Sequence, residues 1–119
     1  MVHNALKEAI DVQFAEAITE PTELCQDALL VRLNNGVVIE LRIASAEEYS
    51  IGWRWGDSEL RIDTAPLHPQ LATFPNHLHN GEGQLLPDPL THPGRDLWDN
   101  VHSVIMALID DPILQSQRK

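Results

Sequence analysis

Cysteine, positive charge and long apolar runs are scarce in this chain, and each scarcity narrows what it can be. Cys25 is the one cysteine among 119 residues, so no internal disulfide can form. No Cys-His motif surrounds it, and it reads as a small strand-edge residue rather than a nucleophile. No apolar run approaches the about 20 residues that a membrane helix needs. Met1-Val2-His3 does not open a secretory leader. The expected compartment is therefore the cytoplasm, with no membrane partner. Eight lysines and arginines stand against eighteen acids, a net charge of −10. A field of that sign repels phosphate backbones and anionic membranes, and it suits a basic partner protein. Phosphate loop, dinucleotide fingerprint, nucleophile elbow, helix-turn-helix signature and internal repeat are all missing. At this length, one domain spanning residues 1–119 is expected.

The charge that is present is uneven. Residues 1–27 carry a net of −5, residues 28–62 a net of −1, and residues 63–119 a net of −4. Half of the basic residues, Arg32, Arg42, Arg54 and Arg61, fall in the middle third. An anion site belongs there, with Arg54 and Arg61 as its candidates. The competing expectation is a solvated sheet face, where these arginines pair weakly with Glu40, Glu59 and Asp63.

Apolar periodicity supplies the scaffold. Leu6, Ile10, Phe14 and Ala17/Ile18 recur at helical spacing and predict a helix within residues 1–20. Asn4 is its expected N-cap, and Pro21 lies past its end. Residues 24–64 predict two antiparallel hairpins. The first turns at Asn34-Asn35-Gly36 and opposes Leu33 to Val37, Val31 to Ile39 and Leu29 to Leu41. The second turns at Gly56-Asp57, with glycine suited to a type II′ turn. It opposes Trp53 to Leu60, Ile51 to Ile62 and Arg54 to Glu59, which matches apolar and opposite-charge pairs. Trp53 and Trp55 read as sheet core. Leu97, Val101, Val104/Ile105 and Leu108/Ile109 predict a final helix over residues 95–111. Asp96 is its N-cap and Pro112 its stop. The expected fold is α+β: a four-stranded antiparallel meander sheet with N- and C-terminal helices packed on one face. Free sheet edges make a homodimer an expected assembly.

Residues 65–94 lack either period over most of their length, yet hold six of the eight prolines and four of the six histidines. A connection this long is more often functional than idle, and Leu67, Leu71, Phe74 and Leu78 are its expected anchors to the core. His77 and His79, one residue apart, lie on the same side of an extended segment. Two such imidazoles can ligate a divalent metal, with His68 or Asp63 as a third ligand. They can serve as general acid and base, or bind an anion beside the arginines. They can equally hydrogen-bond loop carbonyls and do no chemistry. His-x-His alone lacks the further spaced ligands of a convincing zinc pattern, so no cofactor is expected from it. His3 reads as mobile, His92 as an exposed turn residue, and His102 as a helix-boundary residue.

The run Leu60-Arg61-Ile62-Asp63-Thr64-Ala65-Pro66, then His68-Pro69, then Thr73-Phe74-Pro75-Asn76-His77-Leu78-His79-Asn80-Gly81 resembles the TumE family of small bacterial and archaeal proteins. The resemblance covers roughly residues 28–110, with its specificity in residues 63–81. It implies a component of a two-gene toxin–antitoxin system, often with a DNA-binding antitoxin as partner, and a target in RNA or translation. Three readings follow. The chain acts by binding a protein, the antitoxin or another. Alternatively, it is a metal-independent ribonuclease in which His77, His79 and His68 supply base and acid and Arg54 or Arg61 holds the phosphate. Alternatively, it is a small metalloprotein using His68, His77, His79 and Asp63.

Overall fold

The computed structural model describes residues 2–115. Helix α1 (Val2–Gln13) leads into seven strands: β1 (Glu23–Cys25), β2 (Ala28–Arg32), β3 (Val38–Ile43), β4 (Tyr49–Trp55), β5 (Ser58–Asp63), β6 (His77–His79) and β7 (Leu85–Pro87). Helix α2 (Leu97–Asp110) follows. Every neighbouring strand pair is antiparallel, and the sheet order is the chain order. The α+β class and the open antiparallel sheet are as the sequence predicts.

The strand count is not. The sheet has seven strands rather than four. β1 adds one edge by folding back on β2. β6 and β7 add the other, and both come from the segment expected to be a loop. Each of these extra strands has three residues, too few to show a period. They are strands because a neighbour pairs with them, not because of intrinsic preference.

Both hairpin registers follow the apolar pairing. Leu29 faces Leu41 and Val31 faces Ile39, while Leu33 donates its N–H to the Val37 carbonyl at 2.9 Å. Ile51 faces Ile62, Trp53 faces Leu60 and Arg54 faces Glu59. Gly36 sits at φ +96° and Gly56 at φ +59°, so both turns use the left-handed region that glycine enters freely. Gly36→Ala is expected to lower stability by about 1–2 kcal/mol, read as an earlier urea midpoint at unchanged slope.

One face of the sheet is dry. Leu29, Val31, Ile39, Leu41, Ile51, Trp53, Leu60, Ile62 and Leu78 meet Leu6, Ile10 and Phe14 of α1 and Val101, Val104, Ile105 and Leu108 of α2 in one buried cluster. Asp96 caps α2 by accepting from the Trp98 N–H at 3.1 Å. Several local expectations fail for reasons of packing. α1 already runs from Val2, so Asn4 lies within it rather than capping it. His3 is buried, and its Nε2 accepts the Ile43 N–H at 3.3 Å. His102 is wedged between Phe14 and Trp98, with ring centroids 5.1 and 5.6 Å away. Trp55 is exposed at the strand end, donating its indole N–H to the Asn35 carbonyl. Among the described residues, no helix is long and apolar enough to cross a membrane.

Candidate functional site

The opposite face of the sheet carries the alternate residues of each strand, and neither helix covers it. Across its middle lies an open hollow of about 630 Å³. Arg32, Glu40, Arg54, Glu59, Arg61 and His79 line it, with Leu30, Val38 and Leu60 among the apolar contributors. The hollow exists because Gly52 has no side chain. Gly52 stands opposite Arg61 on β5 and Glu40 on β3, so the long side chains around it rim a bare patch of backbone. A Cβ built there would meet nothing closer than the Leu60 carbonyl oxygen at 3.8 Å.

Strand pairing carries the histidines to the same face. His79 lies opposite Arg61, and His77 lies opposite Asp63. The expectation that His77 and His79 share one side of an extended segment matches their geometry, with ring centroids 4.9 Å apart. His68 arrives from the preceding loop, 4.9 Å from His77 and 6.5 Å from His79. The three rings meet edge to face, at interplanar angles of 75–80°. They are not equally accessible. His77 is 2% exposed, whereas His68 and His79 are half-buried. His77 Nδ1 lies 3.0 Å from the Pro75 carbonyl oxygen. Phe74–Pro75 is a cis peptide.

The charges around the cluster are partly spoken for. Arg61 Nε lies 3.4 Å from Asp63 Oδ2, Arg42 pairs with Glu40, and Arg32 reaches Glu23 and Glu20. Arg54 forms no ion pair among the described residues, and Glu59 opposite it does not reach it. Asp63 also accepts the Ala65 N–H at 2.9 Å. Among the described residues, no three His, Cys, Asp or Glu side chains are arranged to hold one metal ion. Burial holds the His79 imidazole below its ordinary range, and the Arg61 guanidinium and the neighbouring histidines push the same way against Asp63. His79 is thus disposed to be neutral, a proton acceptor, near pH 7. At the far edge, the Cys25 Sγ donates to Glu23 Oε2 at 3.0 Å, a contact that raises the thiol and disfavours the thiolate.

A buried polar knot holds the histidine segment in place. Tyr49 on β4 donates its hydroxyl to Thr91 Oγ1 at 2.8 Å. Asn76, directly before β6, donates to Tyr49 Oη at 2.8 Å and to Thr91 Oγ1 at 2.9 Å. Asp88 accepts the Leu90 and Thr91 N–H groups and the Thr91 hydroxyl. Thr73 Oγ1 receives the Asp88 N–H and donates to the Asn76 carbonyl. Of these, Tyr49, Asn76, Asp88 and Thr91 are buried, as is Asn100 on α2. Sequence reasoning expected apolar anchors here instead. Of those, Leu78 alone is in the core; Leu67 and Phe74 are exposed and Leu71 is half-buried. The clustering of Asn, Asp and Thr around the prolines was the available signal, because such side chains satisfy turn backbone groups. Gly52 was also missed, although Ser50-Gly52-Arg54 marks it as a face-lining position.

No curated protein and no solved structure matches the chain. A family model described as Toxin TumE matches residues 6–111, which spans the sheet, the histidine segment and α2. That range takes in all of the hollow and the three clustered histidines, and the chain belongs to the TumE toxin family.

Proposed function

We propose that this chain is the toxin of a toxin–antitoxin pair and that its open sheet face cleaves RNA without a metal. One observation carries the reading: His79, a proton acceptor near neutrality, shares a single hollow with Arg54 and Arg61. An RNA phosphate seated between the two arginines meets positive charge where negative charge accumulates in the transition state. An imidazole beside it can take the ribose 2′-OH proton. The net charge of −10 disfavours general nucleic-acid binding, so contact is confined to this strip rather than spread over the surface.

Gly52→Val tests the surface without touching a charged group. A strand tolerates valine well, the backbone there is unstrained, and the added atoms project into the hollow. The expected result is a folded protein with unchanged thermal unfolding and at least about tenfold slower cleavage of single-stranded RNA in chelator-treated buffer. RNA left intact by wild-type protein, in the tube and in expressing cells, would sink the cleavage reading.

A second reading is that the same face binds a protein, the antitoxin or another partner. Glu40 and Glu59 in the hollow, its apolar floor at Leu30 and Val38, and the chain's acidity favour a basic segment there. Co-purification that Gly52→Val abolishes supports it. A partner retained unchanged by Gly52→Val places binding elsewhere.

A further inference from the structure

We infer that His68 and His79 form the acid–base pair of this site and that His77, between them, is a positioning residue that never touches substrate. The inference rests on the RNA-cleaving reading above and assigns the parts within it. The first ground is access. His77 is 2% exposed, so no phosphate oxygen or ribose hydroxyl can reach its ring, whereas both neighbours present half-buried edges.

The second ground is the tautomer. A carbonyl oxygen can only accept, so the 3.0 Å contact to the Pro75 oxygen places the His77 proton on Nδ1. In the neutral ring Nε2 is then a lone pair. The His68 and His79 rings abut this ring edge to face, each at a centroid distance of 4.9 Å. A ring held in this way, packed edge to face against both neighbours, limits how each of them can rotate. Its own mounting is rigid. β5 pairs on one side, with Asp63 opposite, and β7 on the other, with Pro87 opposite.

The third ground is separation. His68 and His79 stand 6.5 Å apart, so a phosphoryl group can be served by both. His79 lines the hollow with the arginines and takes the base role. Its neutral nitrogen removes the 2′-OH proton, the O2′–P bond forms, and the P–O5′ bond breaks. The proton on His68 passes to the departing O5′. The products are a 2′,3′-cyclic phosphate and a free 5′-hydroxyl. His79 then returns its proton to water, and His68 takes one back.

His77→Asn is the discriminating variant, because asparagine can keep a donor near the Pro75 carbonyl while removing the ring that packs on His68 and His79. The probes are a ribose dinucleoside phosphate, assayed across pH, and nitrogen NMR of the histidine rings. NMR of the wild type at pH 7 should place the His77 proton on Nδ1, and His77→Asn should change the ring-nitrogen signals of His68 and His79. His68→Ala and His79→Ala should each lose at least about 100-fold in kcat. His77→Asn should lose only about tenfold, with KM unchanged and the shape of the pH profile altered. A proton on His77 Nε2 would overturn the assignment. So would a loss in His77→Asn equal to that of His79→Ala at unaltered pH profile. A wild type that leaves the dinucleotide intact removes the cleavage reading, and the NMR result still decides whether His77 sets its neighbours.

Discussion

Replacing His79 by alanine is expected to slow RNA cleavage by about 10²–10⁴-fold and to lift growth arrest in cells expressing the protein. The size follows from its position, since His79 is the histidine that lines the hollow with Arg54 and Arg61. Stability should hardly change, because the ring is half-buried and, among the described residues, no hydrogen bond holds it. The pH dependence has a definite sign. Burial first, and then Arg61, hold the folded-state value below the ordinary 6.5. The base form therefore survives as pH falls through 6.5, and activity is lost only further into acid. Arg61→Gln removes one of the charges that depress His79, so the acid limb should move up toward neutrality while cleavage weakens. Linkage runs the same way. A depressed histidine contributes stability above its unfolded value, and that contribution is lost as pH falls through the folded one. Cleavage within threefold of wild type in His79→Ala would remove the site from this face. The His77→Ala/His79→Ala double variant, checked for folding, gives the cellular comparison: arrest by the wild type alone places toxicity in the histidine segment.

How much of this was legible depended on element length and on what covers what. The β2–β3 and β4–β5 hairpins were readable because each couples several apolar pairs to a glycine turn, and a slip of one residue would turn every side chain to the wrong face. β6 was not. His77-Leu78-His79 has one apolar residue, and Leu78 is core only because Ile62 and Leu86 flank it across the ladder. The same-side placement of His77 and His79 needed only an extended backbone. Which of them is buried needed the loop that brings His68 and the Pro75 carbonyl alongside, a tertiary fact. The hollow was hidden for another reason. It is made by the missing side chain of Gly52, whose partners across two strands become neighbours only once both registers are set.

Asp88→Ala is expected to cost about 3–5 kcal/mol, a large share of the about 5–15 kcal/mol that holds a domain of this kind together. Asp88 is 3% exposed and Thr91 fully buried. Deleting the carboxylate strips the acceptor from the Leu90 N–H, the Thr91 N–H and the Thr91 hydroxyl at once. Water cannot replace it without opening the loop. Asp88→Asn should cost less, because one side-chain oxygen remains for the two backbone donors. Tyr49→Phe should cost about 1–2 kcal/mol, since it removes the hydroxyl shared by Thr91 and Asn76. Denaturant midpoints give the ordering directly. A fall below 1 kcal/mol for Asp88→Ala would mean the knot contributes little and the segment is held by Leu78 alone. The loss should also reach the proposed site. Asn76 is the residue before His77, and its amide is held at the knot. A protein that survives Asp88→Ala should therefore keep its sheet and helices while the Nδ1 contact to Pro75 loosens and cleavage falls. That couples the stability of the segment to the orientation of the imidazoles, which is why so many polar groups are buried beside a site that none of them lines.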